Sequence, residues 1–190
     1  ESEPPNSKTS AYFSSINYKK TYLQLNLLNN TDYSAFIHLV KDSDLIISNF
    51  KKGDDEKLNI TDRVLRKVNP NLIIAKITGF GLDSDRVAYD LILQAESGFM
   101  SINGEENANP LKMPVALIDV LAAHHLKEGI LLALLHQKET GEAKSVHVSL
   151  YDAAITSLVN QASNYLMTGE IPKRKGNLHP NIAPYGEMFK

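Results

Sequence analysis

The order of sequence patterns predicts an α/β protein with an open, mostly parallel, Rossmann-like sheet and flanking helices. Two short apolar runs, residues 44–48 and 72–77, have the composition of strands buried inside a parallel sheet. An amphipathic helical pattern, residues 61–68, separates them. Strands that alternate with helices along the chain pair in parallel through helical crossovers, which defines this fold class.

The elements before the second apolar run follow in order. Residues 21–27 alternate apolar and polar side chains, which predicts a strand. Thr31 or Asp32 can cap the next helix, which we expect to reach about Lys41. A helix that begins near residue 61 ends before residue 70, because that residue is a proline and cannot continue it.

The second half of the chain is more helical. We predict helices over residues 90–100, from about 116 to 137 and over 151–166, with one more strand over 144–149. From residue 169 onward, prolines, glycines and a basic run are typical of an extended linker. We therefore expect a large domain over residues 1–168 and a linker over residues 169–190.

Composition limits the classes of function. The 20 basic and 22 acidic residues nearly balance, so neither nucleic acid nor an anionic membrane is indicated as the main partner. The absence of cysteine excludes disulfides, thiolate nucleophiles and Cys-ligated metals. The polar first ten residues do not resemble a signal peptide, and we expect a cytoplasmic protein.

One carboxylate, that of Asp119, lies in the long apolar run of residues 115–135. The run carries five polar side chains, so we expect a buried helix with one solvent-exposed face and not a membrane-spanning helix. No Lys or Arg lies within four residues of Asp119, and its carboxylate is predicted to be poorly solvated, as suits a nucleophile. The alternative is a helix N-terminal Asp whose charge is met by free backbone N–H groups.

The loops that follow the strands are the candidate binding site, because ligands of open α/β sheets bind beyond the carboxyl ends of the strands. Residues 49–53 offer an amide, an aromatic face and two lysines, a set that suits a nucleotide. The alternative is an ordinary turn with solvated lysines. Residues 78–81 give flexible backbone near a ligand but lack the G-x-G-x-x-G pattern, and there is no P-loop sequence.

The histidines do not form a metal-binding pattern. His124 and His125 are adjacent and point about 100° apart on a helix, so they cannot easily share an ion. His124 and Glu128 can pair, which we interpret as part of a polar helix stripe. No H-E-x-x-H or G-x-S-x-G sequence is present, and we expect no bound metal.

A series of short motifs resembles the class III coenzyme A-transferase family, which includes formyl-CoA transferases and α-methylacyl-CoA racemases. Residues 44–53 are similar to the family's D-(V/L)-(L/V)-x-E-N-F-R-P-G segment, with Ser48 and Lys52 in place of Glu and Pro. Further motifs lie at residues 15–20, 69–73, 78–81, 88–98, 136–142, 148–153 and 168–185. Each motif is weak alone, and their shared order over nearly the whole chain carries the resemblance.

The resemblance implies a reaction in which Asp119 is the catalytic nucleophile. Its carboxylate would attack an acyl-CoA thioester to form a mixed anhydride, and CoA thiolate would then convert that anhydride to an aspartyl-CoA thioester. An incoming carboxylic acid would reverse these steps and leave as the new thioester. Coenzyme A is then a substrate, and no permanently bound cofactor is implied.

The resemblance also implies CoA contacts at matching positions. In a segment similar to the family's L-D-L-K, Asn26 and Leu28 replace the Asp and the Lys, which removes a charge contact at residue 28. The implied CoA-binding residues are Leu25, Asn26, Leu27, Leu28, Asn49, Phe50, Lys51, Lys57, Val87, Ala88, Tyr89 and Asp90.

One position separates transferases from racemases in this family. The racemases carry a His before the Asp of the segment, whereas this chain has Tyr89. A Tyr is too weak an acid to share that proton transfer easily near neutral pH, so the sequence favours a transferase. A racemase-like isomerase and a non-catalytic CoA-binding subunit are the alternatives.

Family members are longer than this chain and form interlocked homodimers. The implied partners are therefore an acyl-CoA, a small carboxylic acid and a second copy of the protein. We expect this chain to be a piece of a longer polypeptide that lacks the opening of the sheet and ends as a small domain begins within residues 169–190. Such a piece is expected to be inactive alone.

Overall fold

The computed structural model describes residues 10–182, and the chain forms two compact units, Glu1–Phe36 and Ile37–Lys190. The strands are β1 (Leu45–Ser48), β2 (Ile73–Thr78) and β3 (Ser145–Ser149). The helices are α1 (Ala11–Ile16), α2 (Asn30–Lys41), α3 (Asp54–Lys57), α4 (Asp62–Val68), α5 (Asp90–Glu96), α6 (Phe99–Ile102), α7 (Leu117–Thr140), α8 (Leu150–Thr156) and α9 (Asn160–Thr168).

The three strands form one parallel sheet in the order β1-β2-β3. The register places Ser48 beside Lys76, and Thr78 beside Ser149. The carboxyl ends of the strands therefore lie at one edge of the sheet. Parallel pairing with helices between the strands confirms the predicted α/β class.

A small apolar core lies next to that edge and joins α5, α7 and α8. Leu93, Ile118 and Ala154 are fully buried in one cluster. Burial of a Leu or Ile side chain is worth about 1.5–3 kcal/mol, so these residues hold the three helices together. Around them pack Phe80, Ala88, Phe99, Leu121, Leu150 and Tyr151. Since Ile118 immediately precedes Asp119, this core fixes the backbone at that acid.

Two glycines permit close approaches between elements. A Cβ built on Gly79 would overlap the Cβ of Ala88, so the end of β2 and the segment before α5 meet only because residue 79 has no side chain. A Cβ on Gly129 would lie 2.5 Å from Cγ1 of Val146. Helix α7 therefore packs on β3 at a distance that only glycine allows.

The strand predicted for residues 21–27 is wrong. Residues 20–26 have no regular structure, and Tyr22 is 72% exposed. Alternation of side chains does not supply a neighbouring strand, and without one the backbone groups need other partners. The N–H of Asn26 donates instead to Oδ2 of Asp32 at 2.9 Å.

Two predicted helices are each divided. The helix predicted for residues 90–100 is α5 followed by α6, with Gly98 at φ +95° between them. The helix predicted for residues 151–166 is α8 followed by α9, with Val159 at φ +49°. Apolar periodicity does not reveal a single residue in the left-handed region, so the pattern continues through both breaks.

The long helix predicted from about residue 116 is confirmed as α7. Its buried side chains are Ile118, Ala122, Leu126 and Ala133. Several leucines near its carboxyl end, among them Leu131, Leu132 and Leu135, are mostly exposed, so more than one face is open. Among residues 10–182, no helix is both long and apolar enough to cross a membrane.

The predicted linker has no helix or strand over residues 169–182. Its remaining residues, 183–190, lie outside the described part of the chain. The division at residue 168 into a large domain and a linker stays a prediction.

Candidate active site

A pocket of about 250 Å³ lies at the carboxyl edge of the sheet. It is formed by the loop after β1, the end of β2 with the loop that follows, the segment before α5 and the start of α8. The lining residues are Asn49, Phe50, Lys51, Lys52, Ile77, Thr78, Gly79, Gly81, Ser84, Asp85, Arg86, Val87, Ala88, Tyr89 and Leu150. Six of the residues predicted from the sequence to bind CoA therefore meet here: Asn49, Phe50, Lys51, Val87, Ala88 and Tyr89.

The pocket carries an excess of positive charge. Lys51, Lys52 and Arg86 contribute three cations, and Asp85 contributes one anion. Because the charge of Arg86 is paired with Glu96, the excess comes from the two lysines. Clustered cations in a concave site attract anions, so the pocket favours a negatively charged ligand.

Lys52 connects two loops of the pocket. Its Nζ donates to the carbonyl oxygen of Asp83 at 2.8 Å. This hydrogen bond joins the loop after β1 to the loop after β2. Lys52 is one of the two lysines predicted in this candidate binding loop. It stands where the family has Pro, and it was not among the CoA-binding residues that the resemblance implied.

Arg86 in the pocket wall contacts an aromatic ring and a carboxylate. Its guanidinium lies 3.8 Å from the centroid of the Phe80 ring. Its Nη2 donates to both carboxylate oxygens of Glu96, at 2.6 and 2.8 Å. The sequence reasoning missed Arg86, and its position directly before Val87 was the signal that could have identified it.

The loop after β2 is shaped by Thr78. Its Oγ1 accepts from the N–H of Gly81 at 3.2 Å and lies 2.8 Å from Nε2 of His147 on β3. Burial lowers the pKa of His147 below its ordinary value, because loss of water disfavours the charged ring. A neutral His147 therefore supports this loop near neutral pH.

Asp90 is tied to α7 and does not line the pocket. Its Oδ1 accepts from the backbone N–H of Ile118 at 2.7 Å, and its Oδ2 accepts from Nε2 of Gln94 at 2.6 Å. Ala116 is the N-cap of α7 and has no side-chain oxygen to offer. Asp90 therefore caps α7 from another helix.

Asp119 lies in the first turn of α7, as the alternative from the sequence predicts. Its side chain is exposed in this chain and is not enclosed by apolar residues as expected. Its pKa is nevertheless raised above the ordinary carboxyl value, first because neighbouring protein removes part of its water and second because Asp90 is negatively charged. Asp119 is outside the pocket lining, but the amide of its neighbour Ile118 is bonded to Asp90, which follows Tyr89.

The other predicted CoA-binding residues lie elsewhere. Lys57 is exposed at the end of α3 and is outside the pocket lining. Leu25, Asn26, Leu27 and Leu28 belong to the first unit, in the coil and turn before α2. Their contacts with CoA stay predictions.

The described residues, 10–182, contain no group of three or more His, Asp or Glu side chains arranged to hold a metal ion. Nδ1 of His124 lies 3.0 Å from Nζ of Lys127. Nδ1 of His125 lies 3.7 Å from the Glu128 carboxylate. The partner of Glu128 is therefore His125, whereas the sequence suggested His124.

Comparisons with known proteins identify the family of the chain. Residues 2–190 match the family described as CoA-transferase family III. The chain is 37% identical over 188 residues to a succinate–glutarate CoA-transferase of Agrobacterium fabrum, covering 97% of this chain and 47% of that protein. It is 36% identical over 181 residues to a succinyl-CoA:mesaconate CoA-transferase of Haloarcula marismortui, covering 92% of this chain and 46% of that protein.

A solved structure has the same fold. The crystal structure of a CAIB/BAIF family protein from Brucella suis superimposes with a TM-score of 0.89 at 34% identity, covering 97% of this chain and 50% of that one. The chain belongs to CoA-transferase family III, which confirms the resemblance drawn from its motifs. It spans about half the length of these relatives.

Proposed function

We propose that the protein containing this chain transfers coenzyme A from an acyl-CoA thioester to a free carboxylic acid, with Asp119 as the nucleophile. One observation carries the proposal. Tyr89 lines the cationic pocket, and the next residue, Asp90, accepts a hydrogen bond from the amide beside Asp119. An anion-binding pocket and a carboxylate of raised pKa are thus connected through one residue. The activities named for the relatives support the same reaction class.

The pocket suits one part of CoA. Its volume of about 250 Å³ is smaller than the roughly 300–1,000 Å³ of pockets that enclose a drug-sized ligand. Lys51 and Lys52 favour the phosphate-bearing part of the molecule. Phe50 is 41% exposed and offers a ring face for stacking.

The reaction we propose conserves the thioester. An Asp119 oxygen attacks the acyl carbonyl carbon, the carbon–sulfur bond breaks, and CoA leaves as thiolate. The thiolate then attacks the Asp119 carbonyl carbon of the anhydride, which releases the first acid and leaves an aspartyl-CoA thioester. An incoming carboxylate attacks that thioester, and the released thiolate attacks the new acyl group. Asp119 is regenerated and no proton is consumed.

The electrostatics of Asp119 fit a nucleophile. Partial desolvation and the charge of Asp90 raise its pKa, so its ionised oxygen is a stronger nucleophile than a fully hydrated carboxylate. The first turn of α7 acts in the opposite sense, because free N–H groups stabilise the anion.

We also propose that the working site is covered by a second chain in an interlocked homodimer, or by the rest of the polypeptide. Asp119 is exposed in this chain. An acyl anhydride must be kept from water if the thioester energy is to be retained.

The test is chemical trapping in the full-length protein. Incubation with succinyl-CoA, followed by hydroxylamine and peptide mass spectrometry, should yield a hydroxamate at Asp119. Transfer to glutarate and to mesaconate should be measured in parallel, because the relatives are named for these acids. Asp119→Asn should lose both the adduct and the transfer activity, by more than about 1,000-fold.

Glu128→Gln is the matched control, since Glu128 is an exposed acid on the same helix. It should keep the adduct and the transfer rate. Absence of any adduct in the unchanged protein that still binds CoA would favour a non-catalytic subunit. Exchange of the C2 hydrogen of a 2-methylacyl-CoA in heavy water would favour a racemase.

A further inference from the structure

Gln94 is the largest polar side chain that the core encloses completely, with 0% of its surface exposed. Burying an amide is costly unless its groups are hydrogen-bonded. Its Nε2 donates to Oδ2 of Asp90 at 2.6 Å and to the carbonyl of Val115 at 3.3 Å, and its Oε1 accepts from the N–H of Met113 at 2.7 Å. One side chain thus holds both the cap of α7 and the segment that leads into the helix.

The hydrogen bonds converge on the start of α7. Asp90 extends the hydrogen-bond network from Gln94 to α7, because its other oxygen accepts from the amide of Ile118. The backbone before Asp119 is therefore fixed at three places, Met113, Val115 and Ile118. Gln94 itself does not line the pocket.

Helix stability alone does not account for this arrangement. A Ser, Thr or Asp at residue 116 would cap the helix locally, whereas the sequence has Ala116. The network instead brings a second carboxylate, Asp90, near Asp119, where like charges repel. An arrangement that is costly for the fold but directs and activates one carboxylate is typical of a functional site.

We propose that Gln94 is a positioning residue for acyl transfer: through Asp90 and the segment from Met113 to Val115, it fixes the direction in which Asp119 meets the thioester. The inference rests on the proposed function. Reacting atoms must be held close to their attack geometry, and a displacement of about 1 Å costs on the order of 100-fold in rate.

The test uses the full-length protein and compares two glutamines that bond near opposite ends of the same helix. Gln94→Met keeps the side-chain volume but removes all three hydrogen bonds. We expect the rate of adduct formation at saturating succinyl-CoA to fall by about 10–100-fold, with KM for succinyl-CoA within about twofold. Gln137→Met is the control, because Gln137 lies near the other end of α7 and donates to the carbonyl of Asn71 at 2.6 Å.

A reversed pair tests the network if Gln94→Met does not fold. The double variant Asp90→Asn with Gln94→Glu exchanges the amide and the carboxylate between the two positions. The amide now at position 90 can donate to the carboxylate at position 94 and still accept from Ile118, and that carboxylate can accept from Met113. The 3.3 Å hydrogen bond to the carbonyl of Val115 is the one that the exchange does not restore. The rate should recover to within about threefold of the unchanged protein, while each single variant is at least about tenfold slower. Rates are taken per folded molecule, from circular dichroism.

The outcomes separate the two proposals. An unchanged protein without an Asp119 adduct overturns the proposed function. If that adduct forms, a Gln94→Met rate within about twofold of Gln137→Met overturns the positioning role. A double variant as slow as the slower single variant also overturns it, because restoring the hydrogen bonds among residues 90, 94, 113 and 118 would then not restore the rate.

Discussion

The two ends of α7 are built in different ways. The amino end has Ala116 as its N-cap and is capped by Asp90 from α5. The carboxyl end is finished locally by Gly141, whose φ of +76° lets its N–H bond the carbonyl of Gln137. Asp119 is on the first of these ends, and exposed leucines are on the second. The end that depends on distant residues is the one that carries the candidate nucleophile.

This difference indicates which end of the helix the proposed function depends on. A local cap sets where a helix stops but leaves its direction free. A cap from another element sets the position of the helix relative to that element, and α5 begins immediately after the pocket residue Tyr89. Positioning of Asp119 relative to the pocket therefore requires the distant cap.

Truncation of one side chain near each end of α7 should give the largest difference in the free energy of unfolding. Ile118→Ala should destabilise the protein by about 2–4 kcal/mol, because a fully buried side chain leaves a cavity. Leu132→Ala, at 67% exposure near the other end, should cost less than about 0.5 kcal/mol. Urea unfolding measures both. Equal costs would contradict the comparison and indicate that the carboxyl end is covered in solution.

The middle of the helix should be the next most sensitive position. Gly129→Ala should gain about 1 kcal/mol of helix propensity. The new Cβ would lie 2.5 Å from Cγ1 of Val146, whose β-branched side chain turns with difficulty. We expect a net destabilisation of about 1–2 kcal/mol. Repeating the substitution in a Val146→Ala background should remove the penalty, and a penalty that persists there would exclude this contact as its cause.

Removing the cap at either end of α7, Asp90 or Gly141, should change the free energy of unfolding by similar amounts. The two substitutions should differ more in the rate of adduct formation at Asp119. Asp90→Ala should cost about 1–2 kcal/mol, since it leaves the buried amide of Ile118 without a partner. Gly141→Ala should cost about 1 kcal/mol, because Ala is strained at a φ of +76°. Thermal unfolding gives both values. Only Asp90→Ala should also slow adduct formation at Asp119, and an equal slowing by Gly141→Ala would contradict the division between the ends.

The same comparison explains what the sequence could predict. The carboxyl end of α7 was predicted within three residues, because the apolar pattern is a local signal. The pocket was largely predicted, since loops after parallel strands must meet at one edge of the sheet. The link between Asp90 and Ile118 spans 28 residues of sequence, and no local pattern encodes it. Asp90 was accordingly assigned to CoA, and its capping role was missed.

The strand expected at residues 21–27 failed for a related reason. Alternation of side chains is a local property, whereas pairing depends on a second strand. The breaks at Gly98 and Val159 were missed because a single residue in the left-handed region interrupts a helix without changing its apolar period.

The smallest expected effect is the stability cost of Asp119 itself. The pKa of this carboxyl is higher in the folded chain than in the unfolded chain, so the folded state binds the proton more readily. Stability therefore falls as pH rises from the unfolded value of about 3.9 through the folded value, and the loss is complete above it. Asn resembles the protonated carboxyl. Asp119→Asn should raise Tm at pH 7 by less than about 2 °C, and the gain should vanish below about pH 3.9.

Thermal unfolding of Asp119→Asn at several pH values tests the sign as well as the size. A variant less stable than the unchanged protein at pH 7 would mean that the free N–H groups of the first turn outweigh desolvation and the charge of Asp90. The carboxylate would then be an ordinary helix-terminal acid, the alternative that the sequence left open. A gain in Tm at pH 7 that disappears in acid means instead that the ionised Asp119 destabilises the capped amino end of α7. The proposed chemistry requires a poorly solvated oxygen at that end.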